Sequence, residues 1–77
     1  GMPRINGRRQ GIEISIYFGD HNPPHVHIYD AGHRAKIDIA TGEIIEGRLP
    51  AGGFRKVRAW LDRNRQLAMT KWNEYCR

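Results

Sequence analysis

Two consecutive prolines, Pro23-Pro24, stand between two apolar, alternating segments, and they restrict this chain more than any other feature. Proline fixes φ and donates no backbone hydrogen bond, so the pair holds the residues before it in a rigid extended turn. Residues 20 to 27 read Asp-His-Asn-Pro-Pro-His-Val-His, which gathers three of the four histidines and an aspartate in this stiffened stretch. The result is a preorganised polar cluster, and no other segment looks like chemistry.

Periodicity on either side sets the fold class. Ile12, Ile14, Ile16 and Phe18 alternate with Glu13, Ser15 and Tyr17, the period-2 pattern of a strand with one buried face. A second strand is expected to bury Val26 and Ile28, a third Ala35, Ile37 and Ile39. A short fourth strand spans Glu43 to Gly47, joined to the third through Thr41-Gly42. After the linker-like Leu49 to Gly53 the period becomes helical, with Phe54, Val57, Leu61, Ala68, Trp72 and Tyr75 forming one stripe. Asp62-Arg63-Asn64-Arg65 interrupts it with weaker helix formers, and Asn64 is a candidate N-cap. The expectation is an α+β fold: an antiparallel β-meander of three to four strands, then two C-terminal helices packed on one face, with one continuous helix as the alternative. Trp60 and Trp72 read as core or dimer contacts.

With 77 residues the chain is long enough for one domain, 1–77, and Gly1 ahead of Met2 reads as an expression-tag remnant. At this size a monomer buries a modest share of its surface, so self-association is a further expectation. Cys76 is the single cysteine, which excludes an internal disulfide and makes the reducing cytoplasm the expected compartment. No apolar run reaches the length of a membrane span or a signal-peptide core.

The net charge of +5 is unevenly spread. Arg4, Arg8 and Arg9 open the chain without an acid, an acidic middle follows, and Arg55, Lys56, Arg58, Arg63 and Arg65 outweigh Asp62 beyond it. Arg8, Arg9, Arg55, Lys56 and Arg58 are the candidate nucleic-acid contacts, since such clusters attract phosphate backbones. The same side chains also suit a solvated helix face.

Strand parity assigns the histidines to a side. If Val26 is core, His25 and His27 point to the opposite, solvent-facing side. With Asp30 to His33 as the hairpin loop, Tyr29 pairs with Arg34, His27 with Lys36 and His25 with Asp38. A His25–Asp38 side-chain pair is expected, the carboxylate fixing the imidazole tautomer. Three readings of the cluster compete. Asp20, His21, His25 and His27 could ligate Zn²⁺ or a similar divalent ion, leaving a coordination position open. His25 and His27, with Asp38 orienting and Lys36 neutralising phosphate, could run metal-independent acid-base cleavage of RNA. Alternatively, Asp20, His21 and the prolines form a hydrogen-bonded turn while His25 and His27 contact a protein partner.

The Asp20-His21-Asn22-Pro23-Pro24-His25-Val26-His27 string follows an Ile-rich strand ending in Tyr17-Phe18 and precedes Asn64-Arg65 and Trp72-Asn73-Glu74-Tyr75. Together these resemble, over nearly the whole chain, a family of small bacterial proteins classed as a domain of unknown function. The resemblance implies a component of small paired operons, sometimes labelled a toxin-antitoxin component or regulator, and brings no catalytic assignment. The function expected on that basis is a small cytoplasmic member of a two-gene, toxin-antitoxin-like module. It would act through a protein partner encoded nearby, with RNA as a further partner.

Overall fold

The computed structural model describes residues 11–76, and residues 4–9 by their backbone. Five strands, β1 (Arg4–Arg9), β2 (Ile12–Ser15), β3 (His25–Asp30), β4 (His33–Asp38) and β5 (Ile44–Gly47), form one sheet in sequence order. All neighbours are antiparallel. The helix α1 (Ala51–Tyr75) follows. The four strands expected from alternation correspond to β2 to β5, but β2 stops at Ser15, and Phe18, expected on the buried face, is exposed beyond it. β1 adds a fifth strand at the β2 edge. Arg8 and Arg9 belong to β1, and their side chains lie outside the described residues.

Alternation decides which side of the sheet is covered. Ile12, Ile14, Ile16, Val26, Ile28, Ala35, Ile37 and Ile39 are buried with Val57, Trp60, Leu61, Ala68 and Trp72 of α1. The helical stripe therefore closes over the isoleucine face, and the two tryptophans are core. The β3–β4 hairpin turns on Ala31-Gly32, both at positive φ (49° and 85°), and Asp30 pairs with His33. A two-residue loop of this kind matches the strand twist. At the end of β5, Gly47 has φ 77°, and any Cβ there would collide with the Arg34 carbonyl. Only glycine fits that approach.

One helix forms where two were expected. The backbone leaves helical values only at Asn64 (φ −127°, ψ 20°), so the polar interruption bends α1 without ending it. Asn64 is not an N-cap: its side-chain amide donates back to the Trp60 carbonyl at 2.9 Å. Beside the bend, Arg65 donates from Nε to the Ile39 carbonyl at 2.7 Å and reaches Asp62 at 3.1 Å. One guanidinium thus ties the second half of α1 to the end of β4. Among the described residues no helix is long and apolar enough to cross a membrane.

Candidate metal centre

β2 ends at Ser15, and residues 16 to 24 carry the chain to β3. This loop is anchored at both ends. The Gly19 N–H donates to the Tyr75 carbonyl at 2.8 Å, the Cys76 thiol donates to the Tyr17 carbonyl at 3.2 Å, and Phe18 meets the Tyr75 ring edge-on. At the other end the Ile39 N–H donates to the Pro24 carbonyl at 3.0 Å. The intervening Asn22–Pro23 peptide bond is cis. Held this way, the loop presents Asp20 to the first residues of β3.

Asp20 Oδ2 lies 3.0 Å from His25 Nε2 and 2.7 Å from His27 Nε2, while Oδ1 accepts the His21 N–H at 2.9 Å. The His25 ring donates from Nδ1 to the Pro23 carbonyl at 2.7 Å. Tyr17 stacks on His27 with ring centroids 3.8 Å apart, and His25 meets His27 at 5.0 Å. His25 is 4% exposed, and the Asp20 and His27 side chains are 19% and 17% exposed.

These contacts set a proton count. The Pro23 carbonyl only accepts, so His25 Nδ1 carries a hydrogen. The Asp20 carboxylate also only accepts, yet it faces Nε2 of the same ring. A neutral His25 ring therefore has no hydrogen to place between Nε2 and Asp20, a gap that a bound cation would fill. For Asp20, partial burial raises the carboxyl pKa, but the His27 hydrogen bond, the His21 N–H and the charges of His25 and His27 outweigh it. They lower the pKa from 3.8 to about 2. One nitrogen from each imidazole and one Asp20 oxygen lie within 4.8 Å of one another, a group that could hold a metal ion. Around a tetrahedral ion with bonds of about 2.0–2.1 Å, donors stand roughly 3.3 Å apart. Asp20 would withdraw by a few tenths of an ångström from each ring, and the two imidazole nitrogens, within 4.8 Å of each other, would draw together around the ion. The Nδ1–H to carbonyl bond is the outer-sphere contact that metal-ligating histidines commonly make.

Several expected partners are elsewhere. The His21 ring is exposed, and that residue reaches the cluster through its backbone alone. The expected His25–Asp38 pair does not form although the two are Cα partners. Asp38 instead accepts the Thr41 N–H at 3.0 Å and closes its own turn, leaving His25 to the loop carboxylate. Nor does His25 face solvent: α1 covers this end of the sheet, and the Trp72 ring lies 5.2 Å away. Lys36 does stand beside His27 as its cross-strand partner, with its ammonium 3.4 Å from Glu46. Arg55 and Lys56 are exposed on the first half of α1, and Arg58 packs over Phe54 and pairs with Glu43 at 3.7 Å. α1 covers the isoleucine side of the sheet and His27 stands on the other side, so these cations and His27 are not brought together. The Tyr17 stack and the Trp72 contact were missed from sequence. Tyr17 has the parity of Ser15, the partner of His27, which is the signal that could have found it.

On the side of the sheet away from α1, Ser15, His27, Lys36 and Glu46 form one continuous cross-strand row. Glu13, Tyr29 and Arg34 form the next, with the Arg34 guanidinium 5.3 Å from the Tyr29 ring centre. Both rows, with Tyr17, line an open concavity of about 590 Å³.

Neither curated proteins nor solved structures offer a significant match to this chain. A family model does match, across residues 11–73, which includes the whole cluster, the sheet from β2 onward and most of α1. The chain belongs to the family described as Domain of unknown function (DUF4160).

Proposed function

We propose that this chain is a metal-binding protein that holds one divalent ion, with Zn²⁺ the first candidate, through Asp20, His25 and His27. The observation that carries the proposal is the hydrogen bond from His25 Nδ1 to the Pro23 carbonyl. It turns Nε2 onto a carboxylate that is itself aimed at His27 Nε2, so two acceptor-capable nitrogens and an anion converge where a cation would satisfy all three. The donor set of two imidazoles and one carboxylate suits Zn²⁺ and other first-row divalent ions. In this reading the ion belongs to a cytoplasmic member of a toxin-antitoxin-like two-gene module, the setting implied by the motif's resemblance. Metal-independent acid-base cleavage of RNA has less support, because Asp38 does not touch His25, and Arg55 and Lys56 lie across the sheet from His27.

Calorimetric titration of the protein with Zn²⁺ tests the proposal. One-to-one binding is expected, abolished in the His25→Ala, His27→Ala double variant and in Asp20→Ala, and retained in His21→Ala. Absence of binding at micromolar protein, or binding indifferent to the double variant, would remove it.

A further inference from the structure

Resting on that metal site, we propose that the concavity on the open face of the sheet binds an oxyanion, phosphoryl or carboxylate, that completes the coordination of the ion. His27 connects the two features, the one of the three donors that lines the concavity. Its Nε2 faces Asp20, while the residue also lines the concavity beside Tyr17. Three protein donors, only one of them anionic, leave a divalent ion with spare coordination positions and a net positive charge. Water fills such a position by default, and an anionic oxygen can replace it.

The concavity supplies the second half of the recognition. Lys36 follows His27 in the cross-strand row, and directly opposite residues on one face have Cβ atoms about 5 Å apart. The Lys36 ammonium now rests 3.4 Å from a Glu46 side chain that is 68% exposed. A pair that open contributes little, so Lys36 can turn to a ligand at small cost. Ser15, on the other side of His27 in the same row, offers a hydroxyl donor. A volume of about 590 Å³ suits a small molecule or a terminal group rather than a folded partner.

The test uses Co²⁺-loaded full-length protein, with visible absorption of the ion as the signal and inorganic phosphate and acetate as separate probes. Saturable spectral change with one or both anions is expected, and the stronger responder identifies phosphoryl or carboxylate chemistry. Lys36→Met should weaken anion binding about tenfold while leaving Co²⁺ affinity unchanged, since a hydrogen bond to a charged group is worth roughly that factor. Glu46→Gln should tighten it by releasing Lys36. A Co²⁺ spectrum unmoved by both anions, or moved equally in wild type and Lys36→Met, overturns the anion site alone. Failure of the protein to bind Co²⁺ overturns the metal reading and the anion site with it.

Discussion

His25 gives its Nδ1 hydrogen to the Pro23 carbonyl at 2.7 Å, and that single bond decides which nitrogen is left for Asp20. A turn whose backbone accepts from one side of an imidazole orients the other side, and here the orientation is toward a carboxylate shared with His27. Loop, tautomer and donor convergence are one arrangement.

Asp20 links the cluster to stability through pH. Its carboxyl is held at about 2, below the ordinary 3.8, so the folded state favours the ionised form. A lowered folded pKa contributes stability fully present above about pH 4 and lost as pH falls toward 2, worth on the order of 2 kcal/mol. Urea unfolding from pH 2 to 6 should show this loss in wild type and a flatter profile in Asp20→Asn. Parallel profiles would mean that the carboxylate is not held by the histidines.

The β3–β4 register follows from parity, because a one-residue slip would turn Ala35 and Ile37 away from the core side that Val26 and Ile28 face, and His25↔Asp38, His27↔Lys36 and Tyr29↔Arg34 all form as backbone pairs. Backbone pairing did not fix the side-chain partner. Asp20 arrives from a loop whose path depends on its ties to Tyr75 and Ile39, contacts distant in sequence that leave no local periodicity. β1 was unreadable for a different reason: Arg-Ile-Asn-Gly-Arg-Arg contains one apolar side chain and a glycine, so no alternation marks it. At Asn64 composition located the bend, but a single non-helical residue could not be told in advance from a break.

Ala31 occupies left-handed backbone at φ 49° in an exposed two-residue turn. A residue with a Cβ pays about 1 kcal/mol there, and asparagine tolerates the conformation better. Ala31→Asn should therefore raise unfolding free energy by roughly 0.5–1 kcal/mol. Denaturant titration would read this as a higher midpoint at unchanged slope. A lower midpoint would contradict the turn geometry.

At Gly47 both the positive φ and the nearby Arg34 carbonyl oppose a side chain. Gly47→Ala should cost more than about 2 kcal/mol, combining backbone strain with a clash that rotamers cannot relieve. Thermal unfolding would detect it, and a change within experimental error would place the β4–β5 approach in error.

Arg65→Met removes the donor to the Ile39 carbonyl and should destabilise the protein by roughly 1–3 kcal/mol. Hydrogen exchange should rise most in residues 65 to 75, which that guanidinium holds to β4. Uniform exchange across α1 would argue against the tie.

The convergence of Asp20, His25 and His27 on one ion is tested most directly by X-ray absorption at the zinc edge, on protein carrying one equivalent of Zn²⁺. The expected first shell contains nitrogen and oxygen at about 2.0–2.2 Å, with outer-shell scattering from two imidazoles and no sulfur contribution. His25→Ala should reduce the imidazole count to one. A shell of oxygen alone, sulfur ligation through Cys76, or a spectrum unchanged by the substitution would contradict the assignment.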